Sequence, residues 1–367
     1  MNNLSFFDKY QNLFVKIAFF NIFIFWGSTF IAVIYGLKGF PPFILTGIRF
    51  LVAGSLLMLY SLIKGEKPLI WQNWARNMIP AALVLTGGTG LVAWCEQYIT
   101  STEAAIAGAT GPFWFVLFDK KNWNYYLSNK LIVIGLILGF FGLIVFLNDS
   151  LAAASIHSTI VSDETFRFIA FGGMALSSIF WVAGSLFSKN RPSSHSTIMN
   201  IAQQLLLAGV FNTLIATIRS EWTGFEFSQV PLESWFGLSF LIFVGSIITY
   251  ISYIWLMTVR TPAKVSVHTY INPIVAVFLG IVLNSENITG LQIVGLFIIL
   301  FGVLLTSFNT YTEVFNKLVF RYVKSILKLK YYRITKYIVH KFFTHSLPKY
   351  YVFNIVYRIL YPSRYHA

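Results

Sequence analysis

Apolar residues are gathered along this chain into blocks of about the length that carries a helix through the hydrocarbon core of a bilayer, roughly 20 residues. Ten such blocks are legible: 14–35, 42–63, 78–98, 102–118, 131–148, 166–187, 197–218, 236–257, 262–283 and 290–308. The fourth and fifth are short, but polar residues bound each of them. Several boundaries carry a physical signal. Pro41-Pro42 predicts the start of the second helix, where a missing backbone N–H costs nothing. Asp163 is placed to cap the sixth with its carboxylate, and Thr261-Pro262 predicts the start of the ninth. The first apolar run, Leu13 to Tyr35, is too long for the core of a secretory signal and lacks a small-residue cleavage site, so it reads as a span.

Composition explains why lipid must be the solvent. The 367 residues are 56% hydrophobic and 11% charged, whereas about a quarter of an average soluble domain is charged. So little charge cannot cover a water-facing surface. The aromatic share of 18% fits Trp and Tyr belts at two interfaces. The single cysteine, Cys95, excludes an internal disulfide and four-cysteine metal sites.

A net charge of +14 has to be read by position. With the N-terminus inside, the inner segments hold twelve basic residues before the tail: Lys9, Lys16, Lys64, Lys67, Arg76, Lys120, Lys121, Lys130, Lys189, Arg191, Arg260 and Lys264. The outer segments hold three: Lys38, Arg167 and Arg219. Ten spans with both termini inside satisfy the positive-inside rule in every interior loop. Removing one central span would mix basic and non-basic loops on one side.

The two halves of the chain resemble each other. Residues 48–54 align with 203–209 at an offset of 155, which also carries Trp26 onto Trp181. Residues 100–112 align with 261–273 at an offset of 161, and Gly135 and Gly142 match Gly295 and Gly302 at 160. The repeating unit is five spans. An odd number makes the two copies enter from opposite sides, so the expected fold is an all-α polytopic membrane protein of ten transmembrane helices in two inverted five-helix repeats. Such a fold holds its substrate near the midplane between the repeats.

Phe25-Trp26-Gly27-Ser28-Thr29-Phe30, then Gly39-Phe40-Pro41-Pro42 and Arg49-Phe50, resemble the opening of EamA-domain transporters of the drug/metabolite transporter superfamily. Glu96-Gln97-Tyr98, with the turn into Ala104-Ala105, continues the resemblance. The second half repeats the type in Thr261-Pro262-Ala263, Pro273 and Ser285-Glu286. The order, spacing and duplication of these motifs are specific for the family and silent on substrate. The resemblance covers roughly 14–308 and implies transport of amino acids, related metabolites, nucleotide-type compounds or drugs through a central cavity. It divides the chain into a cytoplasmic N-terminus (1–13), a first five-helix repeat (14–148), an external linker (149–165), a second repeat (166–308) and a basic cytoplasmic tail (309–367). The sequence departs from the family pattern at Tyr125, near the first-half site that corresponds to Glu286, and in the long polar stretch from Lys120 to Lys130.

The candidate site follows from polar groups that lie inside apolar spans. Arg49 is the only Lys or Arg well inside one, about 10 Å from its outer end at 1.5 Å per residue. A charge there must face protein or water, as an anchor for an anionic group of substrate, as a gate residue, or as a clamp paired with Glu96 or helix carbonyls. Glu96 and Glu103 flank the outer turn between spans three and four. Glu96 is a candidate to carry a coupling proton, and Glu103 sits where a carboxylate favours a helix N-terminus. His268 is a candidate for the cavity and for coupling, because imidazole titrates near neutrality; its bland role is a hydrogen bond between helices. Tyr270 and Asn272 add polar capacity to the same span. Trp26, Trp114, Trp181 and Tyr253 are candidates to line an aromatic cavity, with Thr29, Thr89 and Thr249 supplying hydroxyls. Pro112 and Pro273 fall at equivalent positions in spans four and nine, and symmetric helix breaks point to a central site; static kinks are the alternative.

No catalytic constellation, metal-ligand spacing or nucleotide loop is present, so neither cofactor nor metal is expected. The expected function is secondary transport of a small metabolite across the cytoplasmic membrane, proton-coupled or by exchange. The rivals are a polytopic membrane enzyme and a non-transporting scaffold. The expected partners are a small-molecule substrate and membrane lipids, with no nucleic acid. The glycines at 135, 139, 295 and 302 serve helix packing within the chain or at a homodimer contact. The tail holds eleven basic residues and one acid, Glu313; Lys317, Arg321, Lys324 and Lys328 follow helical spacing, as in a cationic helix lying on the anionic inner leaflet.

Overall fold

The computed structural model describes residues 6–67, 71–118, 120, 123–157, 164–190, 196–260, 265, 268–302 and 304–305. The chain divides into two compact units, Met1–Phe308 and Asn309–Ala367. The second unit lies outside the described residues, as do Asp163, Thr261-Pro262 and the side chains of Tyr125 and Tyr270.

Among the described residues the regular elements are helices. They are α1 (Gln11–Leu37), α2 (Pro42–Ile63), α3 (Trp71–Cys95), α4 (Ser101–Gly108), α5 (Gly111–Phe118), α6 (Trp123–Ser128), α7 (Lys130–His157), α8 (Glu164–Asn190), α9 (Thr197–Ile218), α10 (Leu232–Val259), α11 (His268–Asn284) and α12 (Gly290–Gly302). Six of them (α1, α2, α3, α8, α9 and α10) are long and apolar enough to cross a membrane. Lys130–Phe146, Ile271–Asn284 and Gly290–Gly302 are shorter apolar helices. Large apolar side chains such as Ile63, Ile137, Phe140, Ile218 and Phe297 point outward, an arrangement stable in lipid. Ile22, Leu45, Phe50, Ile201 and Leu205 fill the interior.

Local chemistry sets several boundaries. Pro42 opens α2 behind an extended Pro41. Thr100 caps α4 by accepting from the Glu103 N–H at 3.2 Å, while the Glu103 carboxylate accepts from the Thr100 N–H at 2.9 Å; this reciprocal pair satisfies two free donors. The block expected as one fourth span is two helices, broken at Ala109-Thr110. Pro112 lacks the N–H that would continue the ladder to Gly108. The stretch expected as a polar loop at 120–130 contains α6, and α7 continues to His157, into the stretch expected as linker.

Three helices contain π-helical stretches: Asn21–Phe25 in α1, Ala81–Gly90 in α3 and Leu241–Thr249 in α10. The stretch in α3 follows Pro80. In α10 the Thr249 hydroxyl donates to the Val244 carbonyl, five residues back, at 2.7 Å. Such segments widen a helix and free carbonyls, and they concentrate at functional sites.

Two helix pairs approach backbone to backbone, each in a reciprocal manner. A Cβ on Gly54 of α2 would stand 2.8 Å from the Leu206 nitrogen of α9, and one on Gly209 of α9 would stand 2.8 Å from the Leu51 nitrogen of α2. Between α7 and α12, a Cβ on Gly142 would meet the Ile299 nitrogen at 2.8 Å and the Gly295 carbonyl at 2.9 Å. One on Gly302 would meet the Gly139 nitrogen at 2.5 Å and the Gly135 carbonyl at 2.6 Å. Each contact is therefore matched by a reciprocal contact from the other helix.

One end of the bundle is laced by polar contacts between residues far apart in sequence. Lys38 pairs with Glu233 at 2.7 Å and Arg167 with Glu103 at 2.7 Å. The Glu221 carboxylate accepts from the N–H groups of Phe43 and Ile44 at the start of α2, at 2.9 and 3.1 Å, with Arg219 3.7 Å away. Glu286 serves α4 in the same way, accepting from the Ser101 and Thr102 N–H groups at 3.1 Å each and from the Ser101 hydroxyl at 2.6 Å. A left-handed Ser285 (φ 51°) turns the chain so that Glu286 reaches that helix end. Both carboxylates sit where unpaired N–H groups and the helix dipole favour negative charge.

Candidate functional site

The central cavity, about 120 Å³, draws its walls from α1, α2, α3, α4, α5, α8 and α11. Its polar lining comes from Thr29, Arg49, Thr89, Glu96, Ser177, Ser178, His268, Thr269 and Asn272, and its aromatic lining from Trp26, Phe30, Phe115 and Trp181. Gly88, Gly108 and Gly111 keep the walls open where larger residues would fill the space.

Arg49 is 3% exposed. Its Nε donates to the Ser246 hydroxyl at 2.7 Å. The guanidinium lies against Gly245, whose added Cβ would stand 2.8 Å from Nη2. The widened π segment of α10 thus makes room for a charge that projects from α2. Glu96, at the C-terminal cap of α3, is also 3% exposed, and neither of its carboxyl oxygens has a hydrogen-bond partner among the described residues. Of the two partners a clamp could use, Glu96 or helix carbonyls, Glu96 makes no direct bond to Arg49. The guanidinium and the carboxyl group line the same cavity.

Four rings close one side. Trp26 stands 5.0 Å from Trp181 and 5.0 Å from Tyr253, edge to face in both cases, and stacks on His268 at 4.9 Å. Each such aromatic pair adds about 0.5–1.5 kcal/mol beyond area burial. The Trp181 indole donates to the Tyr253 hydroxyl at 3.2 Å, and Tyr253 donates to Ser185 at 2.8 Å. His268 Nδ1 lies 2.8 Å from the Val265 carbonyl; a carbonyl only accepts, so Nδ1 carries the hydrogen. Asn272, oriented with its amide nitrogen toward α1, donates to the carbonyls of Ile22 and Phe23 at 3.0 and 3.1 Å. It thereby satisfies groups that the π segment of α1 leaves open.

Beyond this ring cluster lies a second cavity of about 390 Å³, whose lining includes Arg76, Asn77, Lys189, Thr197, Asn200, Gln204 and Tyr253. A buried polar chain runs along it. Tyr250 donates to Gln204 at 2.7 Å, Gln204 to Asn77 at 2.9 Å, and Asn77 to Gln203 at 2.7 Å. Tyr253 belongs to both regions: it packs against Trp26 and also lines the second cavity.

The structure brings Trp26, Thr29, Arg49, Thr89, Glu96, Trp181, His268 and Asn272 into the central cavity. It sets other candidates apart. Thr249 is buried and bonded to its own helix, and Tyr253, one of the four rings, lines the second cavity and not the central one. Trp114 and Pro112 line a separate lateral cavity. Pro273 lies within α11 and is not in the central lining. Sequence reasoning passed over Ser177 and Ser178, although an adjacent serine pair inside an apolar span is itself a signal. It also passed over Ser246, the partner of Arg49, which only the fold brings within reach.

Apolar helices of membrane-crossing length around a buried, charged and aromatic cavity define a polytopic membrane protein with an enclosed polar site. Residues 14–148 and 168–308 match the EamA-like transporter family, and the chain belongs to that family. It is 30% identical to the uncharacterized inner membrane transporter YedA of Escherichia coli K12, over 80% of this chain and 90% of that one. The uncharacterized transporter YoaV of Bacillus subtilis is 23% identical, over 80% and 97% of the two chains. A probable amino-acid metabolite efflux pump of Escherichia coli K12 is 21% identical, over 77% and 91%. A solved crystal structure of a protein 17% identical shares the fold, with a TM-score of 0.58 over 82% of this chain and 98% of that one.

Proposed function

We propose that this protein is a secondary transporter that carries a small metabolite across the cytoplasmic membrane by alternating access through the central cavity. The observation that carries this reading is the placement of Arg49 and Glu96, a buried guanidinium and a buried carboxyl group without a direct bond, in one cavity walled by aromatic rings. Burying single charges is costly unless they are compensated. A solute with an anionic group for Arg49, a cationic or donor group for Glu96 and a small apolar body for the rings would compensate both. Amino acids and related metabolites have that chemistry, and one relative is named a probable amino-acid metabolite efflux pump. Glu96, lacking any donor to its oxygens, is the group best placed to hold a coupling proton.

The architecture that suits this function is ten spans in two inverted five-helix halves, with both termini cytoplasmic. The reciprocal glycine contacts support it: at an offset of 155 the Gly54–Leu206 contact becomes Gly209–Leu51 with the helices exchanged. At an offset of 160 the Gly142 contacts become those of Gly302. The π stretches Ala81–Gly90 and Leu241–Thr249 also coincide at that offset. In this topology the laced end faces outward. The three basic residues of the outer loops, Lys38, Arg167 and Arg219, each lie within 4 Å of an acid there. The larger cavity with Arg76 and Lys189 then opens inward, so the conformation is closed outside, with Trp26, Trp181, Tyr253 and His268 as a thinner inner barrier.

The test is counterflow of labelled amino acids into vesicles that contain the purified protein, with and without a pH gradient. Exchange that Arg49→Gln abolishes, in a variant that still purifies as folded protein, supports the reading. A folded wild-type protein that exchanges no amino acid or related metabolite contradicts it and leaves the scaffold or enzyme alternatives.

A further inference from the structure

A lateral cavity of about 150 Å³ lies on the far side of the broken α4–α5 segment from the central site. The segment is a shared wall. Ala105, Gly108, Gly111 and Phe115 face the central cavity, while Ile106, Pro112 and Trp114 face the lateral one, opposite Leu136, Gly139 and Phe140 of α7. The lining contains two polar side chains, Thr110 and Trp114, and the Trp114 indole donates to the Thr110 hydroxyl at 3.3 Å. One hydroxyl offers water too few of the two to four polar partners it needs, and an apolar cavity of roughly this size stays dry and accepts an apolar guest. Phe113 and Phe140, both exposed, stand at its rim with ring centroids 6.3 Å apart. They are continuous with outward-facing Ile137 and Phe141 of the same helix. A Cβ on Gly139 would meet nothing within 4 Å, so the floor is open and not collapsed.

We propose that this lateral cavity is a binding site for the acyl chain of a membrane phospholipid, seated against the Ala109-Thr110 break. The occupant follows from the surroundings. The rim is built of exposed apolar side chains, which in a membrane protein suits hydrocarbon, and the lining is almost wholly apolar, which suits methylene groups and not a headgroup. An unfilled cavity would forfeit the dispersion contacts of every lining atom. A bound chain restores them and holds α4–α5, the wall of the transport cavity, from the lipid side.

Trp114 reports on the site. The full chain is reconstituted in phosphatidylcholine vesicles carrying bromine at mid-chain of the acyl groups, and the Trp114 signal is taken as the difference between wild type and Trp114→Phe. The proposal expects at least twofold quenching of that signal. Gly139→Phe, whose ring occupies the cavity, is expected to remove more than half of the quenching, and Gly139→Ala to leave it unchanged. Leu136→Phe fills the same space from a neighbouring position and serves if Gly139→Phe does not fold. Quenching that neither plug reduces means contact with annular lipid alone and overturns the proposal, as does a Trp114 signal that brominated chains do not quench.

Discussion

Replacing Gly54 or Gly209 by alanine probes the crossing of α2 and α9, on which the proposed symmetric architecture depends. The Gly54 methyl would lie 2.8 Å from the Leu206 nitrogen and 3.1 Å from the Leu205 Cβ. The Gly209 methyl would lie 2.8 Å from the Leu51 nitrogen and 2.7 Å from its Cγ. Carbon contacts are comfortable at about 3.5–4.0 Å, so each methyl lacks roughly 0.7 Å. The nearest backbone nitrogens cannot rotate away, and the helices must separate. Overpacking of this kind costs about 1–3 kcal/mol, and the matched geometry predicts similar costs for the two variants. Gly139→Ala is the control: its methyl meets open space, and alanine is favoured over glycine within a helix by about 0.5–1 kcal/mol. Reversible unfolding of the purified protein in mixed micelles measures all three. Wild-type stability in both Gly54→Ala and Gly209→Ala, or a loss confined to one of them, would refute the reciprocal contact.

Other residues give further expectations. Glu96→Gln keeps one oxygen to accept from the solute's donor group, so it is expected to retain exchange at weakened affinity but lose its response to a pH gradient; a variant that the gradient still drives removes Glu96 from coupling. Glu286→Gln replaces one accepting oxygen with a donor against the N–H groups of Ser101 and Thr102, which should cost about 1–3 kcal/mol for the unpaired group; an unchanged melting temperature contradicts the cross-chain cap. Burial pushes the Glu221 carboxyl above its usual range, outweighing the N–H donors of Ile44 and Phe43 and the nearby Arg219. The folded state then holds this proton more tightly than the unfolded state. Its contribution to stability is complete below the unfolded pKa of about 4.3 and declines as pH rises through the folded value. Glu221→Gln should flatten that part of the stability profile, and an identical slope in the variant contradicts the assignment.

The apolar helices were legible because hydrocarbon tolerates few alternatives to about 20 apolar residues in a helix. Arg49 was legible for the related reason that a charge inside an apolar span must face protein or water. Trp26 and Trp181 stood out through their recurrence at one offset, and they meet as rings 5.0 Å apart. The break in the fourth block was visible only as Pro112; the split itself arises at Ala109-Thr110, where no side chain announces it. The π stretches left no pattern in hydrophobicity, because adding one residue per turn preserves composition. Ser246 and Glu286 depend on partners 197 and 185 residues away, a separation that only the assembled fold supplies. Ser177 and Ser178 were obscured by ordinary behaviour: both donate to the Met174 carbonyl of their own helix, at 2.8 and 3.2 Å.

Access to the central cavity from the two sides of the membrane is the most direct measure of the carrier reading. Cys95 is buried and can be changed to alanine, after which Ser178→Cys places a thiol in the cavity wall. Membrane-impermeant thiol reagents are then applied separately to right-side-out and inside-out vesicles. Alternating access predicts modification from either side, with a transported solute slowing both reactions. A cavity thiol that reacts from one side only, whatever solute is present, contradicts it.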